Sequence, residues 1–551
     1  MKCHIVFFML LCCCKVGFSQ TTIYHRYIIE FTDKDNNPFS ISDPLQYLSQ
    51  RAIDRRARQQ IPITISDLPI NPDYIQQVLN TGVKILNNSK WLNSISIETS
   101  DSIALNAIRQ FPFVKNSNPI APRSGKGKIP DKDNAYDYPQ RVELFSESDY
   151  GVAFHQIDML RGEILHQRGF RGDGIIITVL DAGFFNAPNI SLFDSLYADH
   201  RVLGTRSFVT GEEDVYGGAT HGCSVLSTMA ANQPGIMVGT APKASFYLFI
   251  TEDENSEYPI EEHNWAAGAE MADSLGTDLI TSSLGYSVFE DSVFNHTYEE
   301  MDGNTTMVTR AADMAASKGI IVCSSAGNEG NHPWHYITAP GDADSILTVG
   351  ATDSTGTITA FSSYGPASDG DLKPNVTAEG IGVYVVDAFS GIPYKSNGTS
   401  FSNPIIAGIT ACLWQAHQEE NNMEVIATIQ KSASLYYNPN DSMGNGIPNY
   451  ELADLILSNK TPENLNVSKP VIYPNPFSDH VNVLISSSEN ENITIEGEDI
   501  TGRKFFSNHY SVLRGLNYFS FPQMRNLSNG YYFIRFNYGD HADILKVLKS
   551  D

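Results

Sequence analysis

The stretch Gly174–Phe184, GIIITVLDAGF, runs a nearly unbroken apolar segment straight into an aspartate. A strand that is apolar on both faces has no solvent side, so it belongs in a sheet covered above and below. The pattern recurs in SFYLFI (Ser245–Ile250), TDLITSSLG (Thr277–Gly285) and GIIVCSSAGN (Gly319–Asn328). Between these runs, His221–Asn232, Ile260–Leu275 and Met307–Lys318 carry apolar residues at helical spacing. Strands alternating with helices predict an α/β fold, a parallel sheet sandwiched by helices. Chemistry in such sheets collects at the carboxyl ends of the strands, which is where Asp181 stands.

Three more polar residues fall at comparable places. Asn328 follows an apolar run in SSAGNEG, and His221 opens a helix with apolar faces in ATHGCSVLS. Ser400 lies in NGTSFSNPIIAG (Asn397–Gly408), where a small polar cluster meets an apolar helix. The spacing puts Ser400 at the helix start, facing the positive end of its dipole, with Pro404 in the first turn where a missing N–H costs little. Singly, each residue has an ordinary use: Asp and Asn begin turns, Ser caps helices, and His221 is one of 14 histidines. Together they supply an acid, a base, a nucleophile and an amide donor above one sheet edge, a complete set for acyl transfer.

Five motifs, VLDAGF, THGCSV, SSLG, SSAGNEG and NGTSFSNPIIAG, occur in that order between Tyr150 and Tyr450, and this segment resembles a subtilisin-type serine peptidase. The resemblance implies that Ser400 attacks the scissile carbonyl, that His221 takes and returns the proton, and that Asp181 orients the imidazole. Asn328, with the backbone N–H of Ser400, would bind the oxyanion. Ser283, Leu284 and Gly285 with Ala326 and Gly327 would line the primary specificity pocket, and Asp253–Tyr258 would rim neighbouring subsites. The chain departs from the family at Cys223, where Thr is usual and a thiol beside the base would confer sensitivity to mercurials unless buried. It departs also at Ser402-Asn403 and in KPNVTAEG (Lys373–Gly380), changes that bear on specificity or stability. No cofactor is required, no CxxC, HExxH or EF-hand loop marks a metal site, and structural calcium is left open. The competing reading is a subtilisin-fold surface module that binds without catalysis; four filled catalytic positions favour the enzyme.

The flanks divide the rest. Residues 1–19, with Lys2, a short apolar run and the Gly17-x-Ser19 pair, read as a secretory signal peptide. Residues 20–140 read as a small α/β propeptide-like unit, with helices near Leu45–Arg58, Pro72–Asn80 and Asp101–Gln110, strands at Tyr27–Phe31, Val83–Leu86 and Leu92–Glu98, and a short strand around Val114. It ends in a polar linker over Ile120–Gln140. Such a unit would block the active site until cut away. The peptidase domain spans 141–460, and 461–551 alternates as a small β-sandwich. In that sandwich YPNPF (Tyr473–Phe477), NGYYFIRF and ILKVLK resemble the C-terminal sorting domains of Bacteroidota type IX secretion; an adhesive or carbohydrate-binding sandwich shares the strand pattern.

The totals agree with this division. The chain has 551 residues, more than one core accommodates. Its formal charge of −26 and lack of a basic patch exclude nucleic acid as a partner. After signal removal only Cys223, Cys323 and Cys412 remain, too few for a disulfide framework. The expected partners are protein or peptide substrates and the outer-membrane secretion machinery, reached via the periplasm; no stretch predicts a transmembrane helix.

Overall fold

The computed structural model describes residues 24–122, 149–458 and 470–550, apart from 437, 474, 478–479, 488–489, 513–514 and 539–540. The signal peptide, most of the linker and the expected boundary near 460 lie outside the described residues. The chain forms two compact units, one running to Ile426 and including Asp441–Gly444, the other made of Ala427–Asn440 and the residues from Asn445 onward.

Within the first unit, the N-terminal part is an antiparallel sheet with two helices against it. Strands β1 (Tyr24–Phe31), β2 (Lys84–Ser89), β3 (Ser94–Glu98) and β4 (Val114–Pro122) lie in the order β2-β3-β1-β4. Helices α2 (Pro72–Leu79) and α3 (Ser102–Ile108) close a core of Ile29, Phe31, Val78, Ile95, Ile97, Leu105 and Ile108. A preceding helix, α1 (Gln50–Arg58), starts at a Ser49 cap and is shorter than the sequence pattern, because Pro44–Gln46 winds as a separate 3₁₀ turn. The strand expected around Val114 continues to Pro122 and pairs with β1 as far as Tyr24. It takes an edge position, where prolines such as Pro119 and Pro122 are tolerated.

The peptidase core follows with seven parallel strands: β5 (Ile176–Asp181), β6 (Val202–Ser207), β7 (Ser245–Ile250), β8 (Leu279–Ser282), β9 (Ile321–Ser325), β10 (Leu347–Thr352) and β11 (Val376–Glu379). Their order is β11-β10-β9-β8-β5-β7-β6. Every residue of β5, β8, β9, β10 and β11 is buried, as a sheet covered on both faces requires. Helices α5 (Ile260–Leu275) and α6 (Met307–Ser317) share one core with Leu180, Ile280 and Val322. Helices α4 (His221–Ala230) and α7 (Thr399–Ala416) form a second layer, with α7 lying along β8 to β11. The chain leaves β5 toward β7 and β6, then returns to β8 on the other side. That reversal places a crevice at the carboxyl ends of β5 and β8, paired in register at Leu180 and Ser282.

The second unit carries two antiparallel sheets. One holds β12 (Val471–Tyr473), β13 (Val481–Ser487) and β16 (Gly515–Phe521); the other holds β14 (Glu491–Asp499), β15 (Lys504–Val512), β17 (Gly530–Tyr538) and β18 (His541–Lys549). Val481, Val483 and Phe521 from the first meet Ile495, Ile534, Phe536 and Val547 from the second in one core. This is a β-sandwich, with core residues at alternate positions of β13 (Val481, Val483, Ile485), β14 (Ile493, Ile495) and β17 (Ile534, Phe536).

Candidate active site

Asp181 ends β5 fully buried, and its Oδ1 accepts hydrogen bonds from Ala182 N at 2.7 Å and from His221 Nδ1 at 2.8 Å. An ionised carboxylate only accepts, so Nδ1 carries the proton of that bond, and in the neutral ring the lone pair is on Nε2. His221 is the first residue of α4, and its side chain is 18% exposed. Gly222 is what lets this helix start approach the strand end. A β-carbon there would lie 2.5 Å from the Gly183 carbonyl oxygen and 3.0 Å from Asp181 Cβ.

Ser400 is the second residue of α7 and lies on the same edge. Its hydroxyl reaches the Ser283 carbonyl at 3.4 Å, and the neighbouring Phe401 ring faces His221 with centroids 6.0 Å apart. Pro404 falls in the second turn of α7, not the first, because the helix begins at Thr399. Proline at that place removes the N–H that would bond the carbonyl four residues back, which is Ser400. Ser283 Oγ donates to that freed carbonyl at 2.8 Å. The helix irregularity thus fastens the Ser400 backbone to the end of β8. Asn403 adds a second tie, with Nδ2 donating to Thr281 Oγ1 at 3.1 Å and to Ser282 O at 3.0 Å.

Asn328 stands after β9 with its Oδ1 accepting from Thr399 N and Thr399 Oγ1, both at 2.9 Å. With the oxygen so engaged, the amide nitrogen faces away from Thr399, toward Gly398. A β-carbon built on Gly398 would lie 3.6 Å from Asn328 Nδ2, 3.6 Å from Ser400 N and 3.8 Å from Ser400 Cβ. Gly398 has φ +146°, a conformation other residues rarely adopt. Its missing side chain keeps open a space bordered by two N–H donors. The sequence signals this residue only as the Gly of NGTS.

The remaining candidates fall around these groups. Ser283, Leu284 and Gly285 continue from β8, and Ala326 and Gly327 from β9, as two segments leaving the sheet edge side by side. Beyond β7, the 253–258 segment is tied down by carboxylates: Glu261 accepts from Asp253 N at 2.9 Å and Tyr258 N at 3.3 Å. Strand β4 ends against this rim, where Ile120 and Ala121 cluster with Tyr258 and Ile260. Glu252, Glu257 and Glu261 lie close enough together to hold a cation, but Glu252 accepts from the Tyr286 hydroxyl at 3.1 Å and Glu261 holds the loop. Cys223 is fully buried, and burial pushes its thiol up to about 12, so the residue beside His221 is a poor target for thiol reagents.

Residues 172–449, about half of the chain, match the subtilase family. The chain belongs to the subtilase family. Residues 26–134 match the peptidase S8 propeptide domain of Bacteroidota, and residues 471–550 match a secretion system C-terminal sorting domain. Among its relatives are subtilisin NAT of Bacillus subtilis subsp. natto, 28% identical over 378 residues that cover 68% of this chain and 83% of the relative. Alkaline elastase YaB of Bacillus sp. strain YaB is 30% identical over 304 residues, 54% of this chain and 69% of the relative. The subtilisin of Bacillus pumilus is 29% identical over 303 residues, 54% and 97% respectively. This subtilase is therefore a secreted serine endopeptidase, made with an N-terminal propeptide and sent to the cell surface or beyond by a type IX sorting domain. No helix among the described residues is long and apolar enough to cross a membrane.

Proposed function

We propose that Ser400, His221, Asp181 and Asn328 carry out the peptide hydrolysis. Ser400 Oγ attacks the scissile carbonyl carbon while His221 Nε2 takes its proton. The resulting imidazolium is stabilised by the Asp181 carboxylate across the Nδ1 hydrogen bond. Negative charge on the carbonyl oxygen falls in the space that Gly398 leaves open, where Asn328 Nδ2 and Ser400 N donate. His221 then protonates the leaving amine, and a water attacks the acyl-enzyme by the same proton path in reverse. His221 relays each proton, from Ser400 to the leaving amine and then from the water back to Ser400, so no cofactor enters the proposal.

The observation that carries the reading is the 2.8 Å bond from His221 Nδ1 to the fully buried Asp181, at the same sheet edge as Ser400. A surface histidine has little reason to be held in one tautomer by a buried acid. Here the acid holds the ring by Nδ1, which leaves Nε2 as the nitrogen that would exchange the proton with Ser400.

Ser400→Ala in the full chain tests it. Casein turnover should fall by about 10⁶-fold, the scale seen when a triad member is removed, and labelling by a serine-directed phosphonate should disappear. The far-ultraviolet circular dichroism should not change, because α7 keeps its start. Hydrolysis at the parent rate would remove Ser400 from the reaction.

A further inference from the structure

Three ties hold the first turn of α7, the turn that carries Ser400. Asn328 Oδ1 accepts from Thr399, and Ser283 Oγ donates to Ser400 O at 2.8 Å. Asn403 supplies the third, its Nδ2 donating to Thr281 Oγ1 at 3.1 Å and to Ser282 O at 3.0 Å. The turn needs outside support, because Pro404 offers no N–H to Ser400 O. Its anchors on β8 are firm. Thr281, Ser282 and Ser283 are all buried, and on the opposite face of the sheet Trp265 Nε1 of α5 donates to Ser282 Oγ at 2.9 Å. Thr399 and Ser400 are neighbours, so two ties there leave the turn free to rotate about the line joining them. Asn403 lies almost one turn further along α7, off that line, and its tie removes the rotation.

The other end of the same amide adds a second, independent observation. Asn403 is fully buried, and its Oδ1 has no hydrogen-bond partner among the described residues. Buried amides are ordinarily paired, and an unmade bond is costly. Turning the amide over would not help, because its oxygen would then meet the Ser282 carbonyl, acceptor against acceptor. A residue kept only to fill this space would be small or apolar and would carry no such cost. The chain instead holds an amide here and leaves one of its bonds unmade to reach two acceptors on β8.

We propose that Asn403 is a positioning residue for acyl transfer: its amide sets the rotation of the first turn of α7, and with it the directions in which Ser400 presents Oγ and N. This inference rests on the reading of Ser400 as nucleophile. Asn403 itself meets neither the substrate nor a reacting atom. It acts through the backbone of the turn, which fixes Oγ relative to His221 and the Ser400 N–H relative to the space beside Gly398. Loss of the tie therefore falls on the rate rather than on binding. The segments expected to hold the peptide leave β8 and β9, and Ser282 keeps its Trp265 bond without Asn403.

The test uses the mature enzyme, a peptide anilide substrate and active sites counted with a serine-directed phosphonate. Asn403→Ser keeps a small polar side chain that does not reach Ser282 O. Its kcat per titrated site should fall by about 10²-fold with KM little changed, the scale of a misplacement of about 1 Å at a reacting atom. Phosphonate labelling should slow by a similar factor. Thr281→Val removes one of the two acceptors and should lower kcat less, by about 10-fold. A side chain that merely fills space would lower the urea midpoint when replaced and leave kcat per titrated site at the parent value. That result in Asn403→Ser would overturn the proposal, and so would a raised KM at full kcat. If Asn403→Ser yields no folded protein, Thr281→Val decides alone, and parental kcat there overturns the proposal. Hydrolysis that persists in Ser400→Ala would overturn the underlying reading of the site instead, and that one control tells the two failures apart.

Discussion

The two ends of the central sheet are built on opposite plans. At the carboxyl end, the groups around Ser400 are held by short neutral bonds and one His–Asp pair, and the edge faces a crevice. At the amino end, the propeptide closes over the strand starts with a dense set of buried charges. Arg51 Nη2 donates to Gly174 O at 2.8 Å before β5 and also pairs with Asp278 before β8, while Gln59 Nε2 donates to Gly319 O at 2.8 Å before β9. Arg55 and Arg56, both 2% exposed or less, converge on Asp273 of α5 at 2.5 and 2.9 Å, and Arg56 also reaches Asp67 at 2.8 Å. Lys90 joins Asp273 at 3.3 Å and Lys318 joins Asp67 at 3.5 Å. Burial alone would raise Asp273, but Lys90, Arg55 and Arg56 hold its carboxyl well below the usual range. The difference teaches where this molecule stores its commitment to one docked arrangement: a buried charge network tolerates no slippage, whereas the catalytic edge must admit a substrate.

The contrast breaks most severely at Asp273. Asp273→Asn keeps the shape but leaves two buried guanidinium groups without their shared anion. Removing one partner of such a set costs about 3–5 kcal/mol. In a Ser400→Ala background, which prevents self-digestion, urea unfolding of the full chain should move to lower midpoint by that amount. A loss below about 1 kcal/mol would mean that the network adds little, and that apolar contacts such as Trp91 against α5 carry the docking. The mature peptidase, freed of the propeptide, should be far less affected by the same substitution.

At the other end the expected penalty is kinetic rather than structural. Under the proposed mechanism Asn328→Ala removes a donor to charge that exists only in the tetrahedral intermediate, so kcat should fall by about 10²–10³ with KM little changed. Its unfolding midpoint should shift less than that of Asp273→Asn. A raised KM at full kcat would take Asn328 out of the oxyanion site and blur the contrast between the two edges.

Much of this was legible in the sequence, and unevenly so. Strands β5, β7, β8 and β9 announce themselves because they are apolar on both faces. Strands β6, β10 and β11 do not: Val202–Ser207 is a polar edge strand interrupted by Gly204, and Leu347–Thr352 and Val376–Glu379 are short and rich in Thr, Ala and Gly. Their strand character comes from neighbours in the sheet rather than from pattern. The four candidate catalytic residues were readable because polar residues at strand ends and helix starts stand out against apolar runs. Gly398 was not, since a missing side chain acquires meaning only when distant segments meet. The docking charges were equally hidden: QRAIDRRAR reads as an exposed basic helix, and nothing in it shows that Asp273, more than two hundred residues away, buries Arg55 and Arg56.

The smallest expected effect sharpens the comparison by adding pH. His263 on α5 is fully buried against the propeptide, with Nε2 3.1 Å from Ser94 Oγ of β3. Burial lowers its pKa to about 4, from the ordinary value near 6.5. A histidine held neutral in the folded state takes its proton first in the unfolded one, so the unfolded state binds more protons and stability falls as the pH falls. The contribution is fully present above about 6.5, declines as pH drops from there toward 4, and levels off below, at a slope of at most about 1.4 kcal/mol per pH unit. His166 in the peptidase interior is lowered to about 4 as well and Asp342 is raised to about 6, so the absolute pH slope of unfolding belongs to several groups. The readout is therefore a difference: in the Ser400→Ala background, His263→Gln, which keeps a polar partner for Ser94 but does not titrate, should lose less stability than its parent between pH 7 and pH 5. Parallel pH profiles for the two proteins would show that His263 is not held neutral at the docking face, and that acid weakens the molecule elsewhere.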